Sequence, residues 1–303
     1  MDTQLLEAFI AVVESGSFSI AAERVHLTQP AVSKRIAQLE QQLDCRLFDR
    51  IARNVSLTEA GTALLPRARN ILLSVEETRQ SIRDLSGSVA GNLRLAISHH
   101  IGLHRLPSVL KDFTTRHPNV RVDIDFMESE TAYEAVRQGR FEIAVITLAP
   151  EQHPNLQAFP LWQDHLQLVV APDHPLTHVA KLNVAQLSHY PAILPDLSTY
   201  TGRKIKQFFE QKKCQLSTSI ATNYLETIKM MVSVGLGWSM LPAIMIDDSL
   251  RQLDCQGLAL ERTLGYIHHQ NRSLSNAAEA FIQLLCNDSS RNDINGNESS
   301  PSQ

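Results

Sequence analysis

Apolar residues near the start of the chain recur with helical spacing in three short segments. Recurrence at i, i+3 or i+4, and i+7 is typical of a helix that places one face in a core. Only His26 and Leu27 separate the second segment from the third, and so short a connection predicts a helix-turn-helix. The apolar stripes consist of Leu5, Phe9, Val12 and Val13 in the first segment, Phe18, Ala21, Ala22 and Val25 in the second, and Val32, Ile36, Leu39 and Leu43 in the third.

The outer face of the third predicted helix is small, polar and cationic. Thr28 is predicted to be its N-cap, and Pro30 lies in the first turn, where a missing N–H costs little. Pro30 and Lys34 point away from the apolar stripe, and Ser33 lies on its flank. A helix of this kind fits the major groove of DNA. An ordinary amphipathic surface helix shows the same pattern and remains the alternative.

Two short apolar segments at 47–48 and 55–57 follow this helix and are predicted to pair as a two-stranded wing. Arg50 and Arg53 then lie near the tip of the wing. Exposed arginines at such a tip suit contact with phosphates or with the minor groove. A solvated loop is the alternative interpretation of this segment.

Residues 58–90 are predicted to form a linker helix that ends in a hinge. Thr58 can cap the helix, and the small residues at 86–88 with Gly91 indicate the hinge. Apolar positions at alternating spacings of four and three are typical of a coiled-coil seam. The seam either packs on the C-terminal part of the chain or joins two chains, and we favour a two-fold dimer, which places two recognition helices about 34–36 Å apart. The seam consists of Leu64, Ala68, Ile71, Val75, Thr78, Ile82 and Leu85.

From Asn92 onward, predicted strands and helices alternate, which indicates an α/β domain with parallel sheets flanked by helices. The segment is large for one such sheet, so two lobes with a cleft are expected. Ligands of open α/β sheets bind beyond the carboxyl ends of strands and at helix N-termini. This rule selects polar residues that suit a small anion, although each is equally well explained as a routine helix cap. They are Ser98, His99, His100, Thr147, Ser198, Thr199, Thr201, Lys204, Lys206 and Asn223.

Composition adds few constraints. The 303-residue chain has a net charge of −4, which does not indicate a nucleic-acid-binding protein. Only residues 24–39 are locally basic, with three cations and no acid. The N-terminus lacks the basic region of a signal peptide and no apolar run is long enough to span a bilayer, so a cytoplasmic protein is expected. Cys45, Cys214, Cys255 and Cys286 lack zinc-binding spacing and are expected to be free thiols.

Catalytic signatures do not occur in the sequence. It contains no GxSxG, HExxH or P-loop motif, so an enzyme is not expected. His99, His100 and His104 could in principle hold a metal ion. However, the first two are adjacent and project differently, and no cysteine or carboxylate lies beside them. No metal and no cofactor are therefore expected.

Four motifs fall within the predicted helix-turn-helix, the wing and the start of the linker helix. They are Ser-Phe-Ser-Ile-Ala-Ala at 17–22, Leu-Thr-Gln-Pro-Ala-Val-Ser at 27–33, Leu-Phe-Asp-Arg at 47–50 and Leu-Thr-Glu-Ala-Gly at 57–61. In this order they resemble the winged helix-turn-helix of LysR-type transcriptional regulators. Position 34 is often arginine in that family, and the lysine here keeps the charge but loses the bidentate fork. The resemblance implies that base edges and backbone are contacted by Gln29, Pro30, Ser33 and Lys34, and phosphates or the minor groove by Thr28, Arg50 and Arg53.

Two further motifs, Val-Gly-Leu-Gly-Trp-Ser-Met-Leu-Pro at 234–242 and Ile-His-His at 267–269, resemble the effector-binding domain of the same family more loosely. That domain has a periplasmic-binding-protein-like fold of two subdomains. The resemblance implies that the chain crosses between them near 162–166 and 264–268. It also implies an inducer cleft surrounded by Ser98, His100, Thr147, Thr199 and Thr201.

The sequence thus predicts a transcriptional regulator that binds a promoter operator in double-stranded DNA and a small anionic metabolite in its cleft. The resemblance adds RNA polymerase as a partner and a homodimer or homotetramer away from membranes. The alternative is a cytoplasmic ligand-binding protein or an enzyme that uses the cleft, with DNA binding secondary. The predicted domains are a DNA-binding domain at 1–57, the linker helix and hinge at 58–90, the effector-binding domain at 91–288 and a disordered tail at 289–303.

Overall fold

The computed structural model of the chain describes residues 2–51, 54–84, 87–151 and 153–296. The chain folds into two compact units, the first of residues 1–88 with 138–140 and the second of residues 89–137 with 141–303. Among the described helices, none has the length and the apolar composition that crossing a membrane would require.

The first unit is a helix-turn-helix followed by a wing and a long helix. The turn passes through His26, which has a positive φ of 53°, and the Leu27 N–H donates to the Ala22 carbonyl at 2.9 Å. The wing strands are antiparallel, with Phe48 opposite Leu57, so the predicted helix-turn-helix and wing are both confirmed. The elements are α1 (Thr3–Ser15), α2 (Phe18–Arg24), α3 (Gln29–Leu43), β1 (Phe48–Ile51), β2 (Asn54–Leu57) and α4 (Glu59–Asp84).

One apolar core joins the three short helices to the wing and to the start of α4. Phe9, Ile36 and Leu39 are fully buried in it, and the rings of Phe9 and Phe48 lie 5.3 Å apart. At Gly61 a Cβ atom would lie only 2.2 Å from the Leu47 carbonyl oxygen. Glycine at this position therefore lets the first turn of α4 approach the backbone that leads into the wing.

Some residues of the predicted coiled-coil seam on α4 pack in the core of the first unit, and others are exposed. Ala68 is fully buried in the first-unit core and Leu64 packs against it. Leu64 is therefore only partly available to the predicted dimer seam, because this small domain uses the start of α4 to enclose its core. Ile71 and Ile82 are exposed. Leu85 lies outside the described residues.

Among its described residues, the second unit contains a large mixed sheet, two separate strand pairs and seven α-helices. Its strands are β3 (Gly91–Ile97), β4 (Val120–Phe126), β5 (Ile143–Thr147), β6 (Leu156–Val170), β7 (Leu182–Asn183), β8 (Ala192–Leu194), β9 (Thr218–Ala221), β10 (Ser239–Pro242), β11 (Arg251–Leu253), β12 (Cys255–Gln256) and β13 (Leu260–His269). Its helices are α5 (His99–His104), α6 (Pro107–Arg116), α7 (Ser129–Arg137), α8 (Val184–Leu187), α9 (Tyr200–Gln211), α10 (Leu225–Ser233) and α11 (Asn276–Gly296).

The main sheet has seven strands in the order β10-β6-β13-β5-β3-β4, with β11 also paired to β6. Strand β3 is parallel to both β4 and β5. In contrast, β13 is antiparallel to β5 and to β6, so the prediction of wholly parallel sheets was wrong for this half. The separate pair β8–β9 is parallel. The main sheet is mixed because it includes the long strands β6 and β13, which run in opposite directions.

Separate apolar cores define two subdomains within the second unit. Trp162 on β6 and Leu264 on β13 belong to the core around β3 and α11. Leu166 and Leu260, on the same two strands, belong to the core around β8 and α9. The chain therefore crosses between subdomains at 162–166, as the family resemblance implied, and at 260–264 rather than 264–268.

The last helix is longer than the sequence predicts. Helix α11 continues through Gly296, whereas residues from 289 onward were predicted to be disordered. Ser289 and Ser290 follow the end of the predicted helix at Cys286, and their hydroxyls donate to the Cys286 carbonyl at 2.8 and 2.9 Å. A single apolar residue, Ile294, lies in the rest of the helix, so no apolar periodicity was there to predict it. Residues 297–303 lie outside the described residues.

Candidate functional site

The candidate DNA-reading surface is the outer face of α3. Val32, Ile36 and Leu39 are buried on its inner face. On the opposite side Lys34 is exposed, and Ser33 is partly buried. The helical wheel placed these residues correctly because a short amphipathic helix leaves its polar side outside once its apolar stripe is buried.

The N-terminal end of α3 carries three further exposed residues, Thr28, Gln29 and Pro30. Thr28 occupies the N-cap position, but its side chain makes no capping hydrogen bond, contrary to the prediction. Pro30, in the first turn, lacks the N–H that such a cap would otherwise help to satisfy. The Gln29 Nε2 donates to the Ser33 hydroxyl at 3.3 Å, so two of the predicted reading residues already share an orientation.

The wing arginines extend this surface in the sequence-based prediction only. The wing strands lie directly after α3 in the chain, and Arg50 is paired with Val55 across the wing. The side chain of Arg50 and the whole of Arg53 lie outside the described residues.

A second candidate site lies where three parallel strands end. Ser98 follows β3, Met127 follows β4, and Thr147 is the last residue of β5. Strand β3 lies between β4 and β5: the chain passes from β3 to β4 on one side and then from β4 to β5 on the other. This arrangement creates the kind of strand-order switch where α/β sheets bind ligands. Ser129 connects these ends, since its hydroxyl lies 3.0 Å from the Ser98 hydroxyl and accepts the Thr147 N–H at 3.1 Å.

A half-open cavity of about 160 Å³ lies between these strand ends and the other subdomain. Opposite the first three strands, Pro195 follows β8 and Asn223 lies just beyond β9. Seven of the ten residues selected by the strand-end rule line this one cavity, namely Ser98, His99, His100, Thr147, Thr199, Thr201 and Asn223. The rule about strand ends therefore located residues that lie far apart in the sequence.

Several neighbouring predictions fail. Lys204 and Lys206 do not line the cavity. Lys204 donates to the Glu261 carbonyl, and Lys206 lies 3.9 Å from Glu210. Asn223 does line the cavity but does not cap α10, because its Oδ1 accepts the Asp196 N–H at 2.9 Å. On an amphipathic helix such as α9, long cationic side chains remain on the solvent side.

Thr199 and Thr201 have different roles at the start of α9. The Thr199 hydroxyl donates to the Asp196 carbonyl at 2.7 Å and accepts the Gly202 N–H at 3.0 Å, so it is occupied as a helix cap. The Thr201 hydroxyl instead accepts a hydrogen bond from Arg262 at 3.1 Å and is buried. Thr201 is therefore directly connected to the charged part of the site.

Arg262 on β13 is the cationic group of the cavity, and sequence reasoning missed it. It is 7% exposed, and its Nε donates to Asp164 Oδ2 at 2.8 Å. Burial lowers the pKa of Arg262, and the Asp164 carboxylate opposes this effect. The Nη2 atom has no hydrogen-bond partner among the described residues. The available signal was strand alternation, because Leu260, Arg262 and Leu264 occupy successive inward positions.

The two histidines occupy different environments. The His99 ring lies against Phe126 and Tyr224, with ring centroids 5.2 and 4.8 Å apart, and contributes to an aromatic wall. His100 is partly buried, and its Nε2 atom, which is fully buried, has no partner among the described residues. Burial lowers the pKa of His100 well below its usual range, and the positive charge of Arg262 adds to this effect. His100 is therefore neutral near pH 7.

The low pKa of His100 is expected to make the protein less stable in mild acid. Below about pH 6.5, unfolded His100 binds a proton that the folded state excludes, so stability falls as the pH decreases, by up to about 1.4 kcal/mol per pH unit. Urea unfolding at pH 7.5 and 5.5 should show a smaller pH effect in His100→Leu than in the unmodified protein. Replacement of the exposed His178 by leucine is the control. Equal pH effects in the unmodified protein and His100→Leu would contradict the assignment.

No group of three or more His, Cys, Asp or Glu side chains within the described ranges could hold a metal ion. The site instead offers hydroxyl groups, one buried guanidinium and an aromatic wall in a cleft between two subdomains. The fold and this cleft define a two-part protein, with a winged helix-turn-helix unit and a ligand-binding unit of the two-subdomain type.

Family comparisons agree with this class. Residues 3–62 match the family model described as the bacterial regulatory helix-turn-helix protein of the lysR family, and residues 86–288 match the LysR substrate binding domain. The chain therefore belongs to the LysR family of DNA-binding transcriptional regulators with an effector-binding domain. A relative from Cyanidioschyzon merolae, named "Probable RuBisCO transcriptional regulator", is 32% identical over 292 residues and covers 93% of this chain and 96% of its own.

Solved structures show the same fold. The full-length regulator CbnR, complexed with its target DNA, has a TM-score of 0.67 at 21% identity and covers 95% of this chain and 100% of its own. The effector binding domain of QuiR in complex with shikimate has a TM-score of 0.60 at 20% identity and covers 67% of this chain and 98% of its own. The alternative of an enzyme or a simple ligand-binding protein is not favoured, because the relatives compared are transcriptional regulators.

Proposed function

We propose that the protein binds an operator through α3 and the wing, and that a small anionic metabolite in the cleft controls its activity. One observation carries the second part of the proposal. A buried arginine lines the cleft of a LysR effector-binding domain, and one of its nitrogens lacks a hydrogen-bond acceptor within the described part of the chain. Leaving a buried charged donor unsatisfied is costly, so an anion that accepts from it gains that energy on binding.

The exposed face of α3 supports the DNA-binding part. Gln29, Pro30 and Lys34 are exposed together at the N-terminal half of a helix whose other face is buried, which is the geometry of a recognition helix. CbnR, which has the same fold, has been solved with its target DNA. We assign base reading to Gln29, Pro30, Ser33 and Lys34, and backbone or minor-groove contacts to Thr28, Arg50 and Arg53.

The exposed part of the α4 seam supports a two-fold dimer. Ile71, Val75 and Thr78 line a shallow groove along one face of the helix, and Ile82 is exposed further along. A second copy of the helix would cover this apolar stripe and place two recognition helices one duplex turn apart. We therefore propose that the protein is a homodimer or a homotetramer. Its proposed partner, in the cytoplasm, is RNA polymerase bound at the promoter.

The cleft connects ligand binding to conformation because two subdomains contribute to it. Ser98 and Thr147 belong to one, and Thr201 and Asn223 to the other. A ligand that contacts both subdomains favours the arrangement in which all its contacts are made. It can change promoter activity only by its different affinities for the two states.

Replacement of Ser98 by alanine tests the anion-binding cleft. The variant removes one hydroxyl from the lining and is expected to weaken binding of the effector by about threefold to tenfold, while operator affinity is unchanged. A thermal-shift screen of sulfate, phosphate and small mono- and dicarboxylates on the full chain identifies binders, because a ligand stabilises the state that binds it. Each binder is then titrated against both proteins.

The matched control is Ser198→Ala, since Ser198 is exposed and lies outside the cavity. The proposal predicts that Ser198→Ala binds each anion as the unmodified protein does. Equal responses of all three proteins to every binder, or the absence of any stabilising anion, would refute an anion-responsive cleft.

A further inference from the structure

We infer that the effector is a small monocarboxylate that carries hydroxyl or ammonium hydrogen-bond donors at its other end. The inference rests on the proposed anion-binding cleft and specifies its ligand class. The observation behind it is that the cavity presents one guanidinium together with two carboxylate side chains, Glu128 and Glu130. The site is therefore bipolar rather than uniformly cationic.

One part of the cavity is built for a single carboxylate. Arg262 lines the cavity together with Ser98, Thr147 and Thr201, and its Nη2 has no hydrogen-bond partner among the described residues. Asp164 already pairs with this guanidinium, through a contact of 2.8 Å to its Nε. A guanidinium that already has one carboxylate partner can hold one ligand carboxylate but offers little to a second.

The two glutamates also line the cavity, and each accepts a hydrogen bond from the other subdomain. Glu130 Oε1 accepts the Tyr200 N–H at 2.5 Å, and Glu128 accepts a hydrogen bond from the Asn223 side chain. Burial raises the pKa of Tyr200 to about 12, and the negative charge of Glu130 contributes to that increase. Glu130 is thus a partly buried carboxylate next to Tyr200, whereas Glu128 is exposed.

The charge balance excludes polyanions. Among the described lining residues, two carboxylates face one guanidinium, and His100 is neutral near pH 7. A second ligand carboxylate near Glu128 or Glu130 would meet like charge, whereas a hydroxyl or ammonium group would donate to them. Ionised carboxylates accept hydrogen bonds and cannot donate, so this part of the site selects donors.

The size and the walls of the cavity fit a compact ligand. A volume of about 160 Å³ is close to that of a cavity that holds one benzene ring. The rings of His99, Phe126 and Tyr224 provide an apolar wall beside the polar groups. A six-membered ring with a carboxylate and an opposed substituent is therefore a suitable probe.

Four 4-substituted cyclohexanecarboxylates test the inference, with methyl, hydroxyl, amino or carboxylate as the substituent. They share ring and first carboxylate and differ only in what they present to the glutamates. In titration calorimetry on the full chain, the 4-hydroxy and 4-amino compounds should bind about tenfold more tightly than the 4-methyl compound and the dicarboxylate. Failure of all four to bind, or binding of the dicarboxylate or the methyl acid as tightly as the donors, would overturn the ligand class.

Substitution of Glu130 by glutamine tests which residue sets the preference. The amide keeps an oxygen for the Tyr200 N–H but removes the negative charge. The affinity for 4-aminocyclohexanecarboxylate should then fall about tenfold, and the affinity for the dicarboxylate should rise by about the same factor. Glu134→Gln is the matched control, because Glu134 lies on the same helix, pairs with Arg137 at 2.7 Å and does not line the cavity. Glu128→Gln serves as a second variant if Glu130→Gln does not fold.

The outcomes separate this inference from the function it rests on. If Ser98→Ala weakens binding of an acid but the four acids do not follow the donor ranking, the cleft stands and the ligand class is wrong. If Ser98→Ala leaves binding of every acid unchanged, the anion-binding cleft itself is wrong. An unchanged ranking in both glutamine variants would remove the glutamates as the source of the preference.

Discussion

Asp164→Ala is expected to destabilise the second unit by about 3–5 kcal/mol, because it leaves the buried Arg262 guanidinium without its counter-ion. Asp164 is 3% exposed and Arg262 is 7% exposed, and their side chains meet at 2.8 Å. Arg105 also lies 3.8 Å from the second Asp164 oxygen. The Asp164 carboxylate therefore compensates the charge of the buried Arg262 and also faces Arg105. Alanine supplies no negative charge to take its place.

Chemical denaturation of the full chain, followed by tryptophan fluorescence, measures this loss. The double variant Asp164→Leu with Arg262→Met is the informative control, since replacing both buried charges by apolar groups is often neutral for stability. It should recover most of the lost stability but not the binding of anions. A loss below about 1 kcal/mol in Asp164→Ala would show that the pair is screened by water and is not the charged centre of the site.

Lys34→Ala is expected to lose on the order of 1–3 kcal/mol of operator discrimination, a decrease of about fivefold to 150-fold. Lys34 is exposed on α3 directly opposite the buried stripe, and Ser33 and Gln29 lie beside it. A lysine in this position can contact a base edge as a point charge. Its removal should weaken binding to the operator more than binding to unrelated DNA.

Fluorescence anisotropy measures both affinities, with an operator selected from a random DNA library by the unmodified protein and a scrambled sequence of equal length. Both titrations are made at one salt concentration, because affinity for DNA depends strongly on salt. Lys34→Arg is the matched control and should keep or increase discrimination, since it restores the bidentate fork. An equal loss on both DNAs would assign Lys34 to phosphate contact, and no loss on either would remove it from the interface.

Local patterns were sufficient for the DNA-binding unit. The stripe of Val32, Ile36 and Leu39 fixes which side of α3 is buried, and thereby exposes Lys34 and Pro30 on the other side. The connection through His26 and the pairing of Phe48 with Leu57 lie within a few residues of the helices they join. Interactions of such short range are encoded by neighbouring residues, so the sequence can be read directly.

The cleft was predicted only in part. Strand ends located Ser98 and Thr147, because the ends of parallel strands in one sheet must meet at the same edge. Arg262 was missed because the rule about strand ends selects residues that follow a strand, whereas Arg262 lies within β13 (Leu260–His269). Its partner Asp164 lies nearly one hundred positions away, on the antiparallel strand β6, and no pattern in one segment reveals such a pair.

Helix α4 shows the same division. The heptad spacing predicted a continuous helix, and α4 is continuous from Glu59 to Asp84. Which neighbours cover each apolar position was not encoded in that spacing, since Ala68 lies in the first-unit core and Ile82 is exposed. The sequence by itself determined the family, the recognition helix and the strand ends that line the cleft, because these depend on local periodicity and short motifs. Only the tertiary structure shows that Arg262 and Asp164 form a buried pair and that two glutamates line the same cavity as Arg262. The charge balance in a cavity depends on side chains that distant strands bring together.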